Sequence, residues 1–150
     1  GRPHADIVGA AGMAASAQSL GVLLMRAHAN NDENAYRLAN AGLIARMRRR
    51  SKRNNWHPIE AGQSGVYAEA ALKWWLWSTC PACLGRKFEQ HADDAQVLTG
   101  RACEPCSGSG RIPVESIIAP EMLVRVREAI MVIEIAVDQA RMQIFRRLQR

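Results

Sequence analysis

The sequence predicts a mainly α-helical protein: a helical bundle with one small inserted module ahead of a long C-terminal helix. Three observations predict it. Apolar residues return every three or four positions over most of the 150 residues. The chain is 48% hydrophobic but only 5% aromatic, which suits an aliphatic, helical core. The helical periodicity stops once, over residues 80–112, where Gly, Cys, Pro and Ser take over. The expected organisation is therefore a helical part with a basic patch over 1–79, the module over 80–112, and a long helix over 113–150 that packs back on the N-terminal helices. This length suits one domain, or one helical body carrying an insert. Collagen-like, mucin-like and strongly acidic classes are excluded, and there is no internal repeat or long low-complexity tract.

The first helix is expected from Asp6 to His28, with Ile7, Val8, Met13, Leu20, Leu23 and Leu24 as its larger apolar residues. Gly9, Gly12 and Gly21 each weaken it by about 1 kcal/mol relative to Ala, or else permit close helix contact. The stretch from Ile7 to Met25 is only mildly apolar and contains Gln18, so it does not read as a membrane span, which needs about 20 strongly apolar residues. No signal-peptide pattern is seen, and a soluble, intracellular protein is expected. Asp32 suits an N-cap. It opens a second helix from about Glu33 to Arg50, with Tyr36, Leu38, Ala39, Leu43, Ile44 and Met47 at helical spacing. Asn54–Pro58 breaks the pattern. A third helix starts near Pro58 and resumes from Ser64 to Trp77, with Glu69 and Lys73 as an i,i+4 pair. Three of the four tryptophans, Trp74, Trp75 and Trp77, end it. They serve either as packing beside the module or as a base-stacking surface. After the module, Pro120 fits the first turn of the last helix. Leu123, Val126, Ile130, Ile133, Val137, Ala140, Ile144 and Leu148 then step by three or four, and Ile133 is placed on the core face.

The formal net charge is +6, and residues 31–60 carry seven cations against three anions. Most of that excess is one run of six cations in eight residues: Arg46, Arg48, Arg49, Arg50, Lys52 and Arg53. The run reads as a phosphate-binding edge or as a solvated helix end that complements the helix dipole. With the break at Asn54–Pro58 and the helix that follows, it also forms a weak helix-turn-helix pattern, its turn longer than the usual three or four residues. Arg86, Lys87, Arg101 and Arg111 lie around the cysteines and can reach nucleic acid. Glu89, Asp93, Asp94 and Glu104 offset them, which leaves the module equally suited to docking a protein.

All four cysteines fall in two pairs: Cys80-Pro-Ala-Cys83, then nineteen residues, then Cys103-Glu-Pro-Cys106. Two CxxC turns about twenty residues apart point to a four-thiolate zinc site. Each turn aims two sulfurs at one centre, and two turns complete a tetrahedron. A closed shell of four thiolates leaves no position for water, so the one zinc is structural rather than catalytic. Four thiolates around Zn²⁺ contribute −2, lowering the formal charge to about +4. Disulfides, a thioredoxin-like redox pair and an iron–sulfur site fit the length, pattern or spacing less well. His91 reads as a loop histidine rather than a ligand.

Glycines follow each pair: Cys80-Pro-Ala-Cys83-Leu-Gly85-Arg86-Lys87 and Cys103-Glu-Pro-Cys106-Ser-Gly108-Ser-Gly110-Arg111. These segments resemble the CxxCxGxG repeats of DnaJ-type cysteine-rich domains. The second matches fully, and the first has Lys87 in place of the last glycine. Only two repeats are present, and no His-Pro-Asp motif occurs. Taken as a whole, the chain is similar to the late-gene antitermination protein Q family of lambdoid phages in length, order of parts, the Trp-rich helix leading into Cys80, and the sequence ending at Arg111. The specific part of the resemblance covers about residues 75–112. The resemblance implies a cytoplasmic factor of the bacterial host cell that binds double-stranded DNA near a late promoter and joins RNA polymerase to suppress pausing and termination.

No enzyme constellation emerges: the chain has no P-loop, GxSxG, HExxH or deaminase-type HxE…PCxxC pattern. A non-enzymatic protein is expected, with no membrane partner and no small-molecule substrate. Two functions from different classes remain. One is a zinc-containing DNA- and polymerase-binding factor. The other is a zinc-stabilised, chaperone-like protein-interaction module that binds no nucleic acid.

Overall fold

The computed structural model of the chain describes residues 19–150. The protein is mainly helical, with a two-stranded sheet, a four-cysteine cluster and a long C-terminal helix. It divides into two compact units. One comprises the described residues up to Leu72 together with Val124–Arg150, and the other is Lys73–Leu123.

In the helical unit, α1 spans Leu20–Asn30 and α2 spans Glu33–Arg53. The helix start expected at Asp6 lies outside the described residues. Ser19 caps α1, its hydroxyl accepting from Val22 N–H at 3.2 Å, and Asn31 ends the helix in the left-handed region. Asp32 caps α2 by accepting from Ala35 N–H at 3.0 Å. That bond, chiefly, holds its carboxyl below the usual range. α2 runs one turn further than the sequence pattern suggests, because Ser51 is buried and continues the inward row of Ala39, Leu43 and Met47. A short α3, Pro58–Gly62, and the first part of α4, Ser64–Trp77, follow.

The last helix, α5, is Leu123–Leu148. At 1.5 Å per residue it is about 39 Å long. Its buried residues, Val126, Ala129, Ile130, Ile133, Ala136, Val137 and Ala140, step by three and four. Ile133 is fully buried, as its spacing predicts. The inward row stops at Ala140. Ile144 and Leu148 continue the sequence pattern but are exposed, Leu148 at 81%.

Gly21 on α1 faces Ala136 and Ala140 on α5. A Cβ there would overlap the Ala136 carbonyl oxygen and come within 2.7 Å of Ala140 Cβ. Small residues therefore bring these two helices into close contact. Polar groups tie the same unit together. Arg125 bonds Glu60 at 2.9 Å and Glu128 at 2.6 Å, Arg50 reaches Glu128 at 2.9 Å, and the Arg125 guanidinium lies 4.1 Å from the centre of the Trp56 ring. Trp56 in turn meets Tyr67 edge-on.

The second unit contains the end of α4, the cysteines, and an antiparallel hairpin of β1, Phe88–Gln90, and β2, Leu98–Ala102, in which Phe88 pairs with Ala102 and Gln90 with Leu98. Single turns of 3₁₀ helix at Val114–Ser116 and Pro120–Met122 lead to α5, with Pro120 opening the second. Among the described residues, no helix is long and apolar enough to cross a membrane.

Candidate metal centre and cationic face

The four cysteines converge on one point and are all buried, their sulfurs within 4.8 Å of one another. Cys80 Sγ lies 4.0 Å from Cys103 Sγ, and Cys83 Sγ lies 3.8 Å from Cys106 Sγ. A tetrahedron with metal–sulfur bonds of about 2.3 Å has edges of about 3.8 Å. These separations fit four sulfurs around one ion and are far too long for disulfides.

Local backbone geometry explains the convergence. The two cysteine segments repeat one hydrogen-bond pattern at an offset of 23 residues, in which Cys80 corresponds to Cys103 and Cys83 to Cys106. Cys80 N–H donates to Gly110 O at 2.9 Å, and Cys103 N–H donates to Lys87 O at the same distance. Arg86 N–H donates to Cys83 O at 3.0 Å, as Ser109 N–H does to Cys106 O at 3.1 Å. Positive φ angles fall at matching positions: Leu84 with Ser107, Gly85 with Gly108, and Lys87 (73°) with Gly110 (78°). The departure from the glycine pattern at Lys87 thus leaves the backbone conformation in place. Space decides which position can carry a side chain. A Cβ on Gly110 would sit 2.9 Å from Gly85 O and 3.2 Å from Lys87 Cγ, so Gly110 cannot accept one unless the Gly85 backbone moves.

Backbone donors support sulfur charge. Gly110 N–H donates to Cys106 Sγ at 3.3 Å. Burial pushes the Cys103 thiol up to about 12. At Cys106 the Gly110 and Gly108 N–H groups and the neighbouring thiols outweigh the same burial and bring it down to about 6. A metal binds thiolates, and the backbone donor at Cys106 favours that charged form.

The cations flanking the cysteines are largely engaged in the fold. Arg86 donates to Cys83 O at 3.4 Å and to Ala95 O at 2.8 Å. Arg111 lies over the rings of Trp74 and Trp75 at 5.1 and 5.8 Å, and Trp74 Nε1 donates to Ile112 O at 2.8 Å. Trp74 and Trp75 therefore pack beside the module, while Trp77 is exposed. Lys87 is exposed. The hairpin was not legible in the sequence: its strands have three and five residues, too short to establish a period of two.

The basic run divides between two flanks of α2. Arg46, Arg49, Arg50 and Arg53, at spacings of three and four, line a groove of about 280 Å³ with Val132, Ile135 and Gln139 of α5. Arg48 and Lys52 fall outside it and are exposed. Among the described residues, Arg50 alone of these six cations has a carboxylate partner, Glu128. Arg46 is half-buried, and its guanidinium is held below its ordinary value by burial and by the charge of Arg49.

Comparison with sequence profiles of known families, with curated proteins and with solved structures finds no match.

Proposed function

We propose that this protein is a zinc-containing, non-enzymatic, nucleic-acid-binding transcription factor of the antitermination type. The observation that carries the reading is the state of the α2 cations. Five of the six have no carboxylate partner among the described residues, and they form a band split over two flanks at the end of one helix. Repulsion within such a band is relieved by a polyanion, and release of counterions from the polyanion drives the association. Arg48 and Lys52, on the flank outside the groove, suit the phosphates of double-stranded DNA. A part for RNA polymerase, suppression of pausing and termination, and a place in the cytoplasm of a bacterial host rest on the resemblance to the antitermination protein Q family.

The metal belongs to the same proposal. Four thiol donors at tetrahedral separations fit zinc, a metal that thiolates bind well. Zinc would supply folding energy to the segment rather than reactivity, because all four positions are taken by Cys80, Cys83, Cys103 and Cys106.

The test is DNA binding at several salt concentrations by wild type and by Arg48→Ala/Arg49→Ala/Lys52→Ala/Arg53→Ala. Each lost phosphate contact should flatten the slope of log K against log salt by about 0.9 and weaken binding to all sequences. Metal content and helicity should not change. Equal affinities and slopes would remove the cationic band from the interface.

One observation favours the protein-interaction reading. Leu84, Phe88, Val97 and Leu98 of the cysteine module are all exposed, Leu84 at 64%. Wild-type protein that binds no DNA at low salt, with the module intact, would select that reading.

A further inference from the structure

Four guanidiniums line one flank of α2, and the wall facing them is not polar throughout. Val132, Ile135 and Gln139 form a row at spacings of three and four on α5. The groove between the rows, about 280 Å³, is lined by charge on one side and by two aliphatic side chains and an amide on the other. A surface that meets duplex phosphates alone has no use for the aliphatic side. Phosphates on a duplex are presented on a convex, hydrated backbone, and the bases behind them remain stacked and paired. A single strand differs, because its bases are free to turn out and lie on side chains while its phosphates are held electrostatically.

We propose that the groove between α2 and α5 seats one nucleotide of a single-stranded nucleic acid. Its phosphate lies across Arg46, Arg49 and Arg53, and its base or sugar lies against Val132 and Ile135, with the Gln139 amide available to a base edge. The proposal rests on the reading of the protein as a nucleic-acid binder and specifies which form of nucleic acid this flank takes. Arg46 is the central residue. It is half-buried between the two helices and has no carboxylate among the described residues, so it is the cation that gains most from an anion arriving in the groove. Burial and Arg49 both disfavour its charge when the groove holds no anion. Arg50 has the smaller part, because Glu128 already holds it at 2.9 Å.

The experiment uses the metal-replete full chain and two fluorescent probes, an oligothymidylate of about twelve nucleotides and a duplex of about the same length. Arg46→Gln removes the buried charge, and Ile135→Ala trims the aliphatic wall without altering charge. Ile135 is 51% exposed, so its truncation should leave the fold intact, as circular dichroism and melting would verify. Arg147→Gln removes one exposed charge from α5 outside the groove and serves as the control. Arg46→Gln should weaken oligothymidylate binding by about tenfold or more. Ile135→Ala should weaken it by about threefold to fivefold and leave duplex affinity unchanged. Arg147→Gln should stay within about twofold for either probe.

If Ile135→Ala leaves oligothymidylate affinity unchanged, or weakens both probes equally, the groove does not seat a nucleotide. Duplex binding by wild type with no oligothymidylate binding would overturn this inference and leave the nucleic-acid reading standing. Failure to bind either probe at low salt would overturn both.

Discussion

Gly21→Ala reverses the usual effect of replacing a helical glycine. On propensity alone the change should stabilise α1 by about 1 kcal/mol. The packing predicts the opposite. The new methyl would overlap the Ala136 carbonyl oxygen, lie 2.7 Å from the Ala136 carbonyl carbon and lie 2.7 Å from Ala140 Cβ. Carbon atoms in contact prefer about 3.5–4.0 Å, so α1 and α5 must separate by about 1 Å. Two of the three obstructing atoms are backbone, and no rotamer change can relieve them. Separation also loosens Leu20 and Leu24, which are buried on the same helix. Overpacking of this kind costs about 1–3 kcal/mol, and a backbone obstruction belongs at the upper end. After the gain in propensity, the net loss is about 1–2 kcal/mol, or roughly 5–10 °C in the melting of the helical unit. Gly62→Ala is the matched control. A Cβ there meets nothing within 4 Å, so the substitution should stabilise by about 0.4–1 kcal/mol. Thermal melts followed at 222 nm should move in opposite directions for the two variants. If Gly21→Ala melts at or above the wild-type temperature, the close α1–α5 contact is absent in solution.

Three further outcomes are expected. Ile133→Asp places a carboxylate at a position with no solvent exposure and should cost several kcal/mol, so an unchanged melting temperature would contradict the burial of that face. Cys103→Ser should lower metal content below one ion per chain by elemental analysis and unfold the hairpin, while most of the helical signal survives, because the cysteines and α5 belong to different compact units. The Arg125 hydrogen bond, chiefly, holds Glu60 below its ordinary 4.5, so it contributes stability above that pH and loses it as the pH falls through the lower folded value. Melting temperature should therefore fall more steeply below pH 4.5 for wild type than for Glu60→Gln, and parallel curves would remove Glu60 from the acid response.

Much of the fold was legible because its signals are local. Asp32 caps the helix it was expected to cap, Pro58 opens a helical turn, and the three-and-four spacing of Val126, Ile130, Ile133, Val137 and Ala140 marks a face that is buried. The four-cysteine cluster was legible for the same reason: a CxxC turn aims two sulfurs by itself, and four cysteines allow only one complete set. Other features depend on what lies opposite in space. Whether Gly21 weakens a helix or admits a neighbour is decided by Ala136, 115 positions further along the chain. Ile144 and Leu148 obey the periodicity of α5 but lie past its last buried residue, since periodicity records a face and not whether anything covers it. The basic run reads as one block in sequence, yet α2 turns Arg46, Arg49, Arg50 and Arg53 toward α5 and leaves Arg48 and Lys52 outside the groove. Charge, capping and metal-ligand spacing are properties of neighbours along the chain, so the sequence determines them alone. Close approach, burial and the division of a charged face require a second element to be in place, and the tertiary structure decides them.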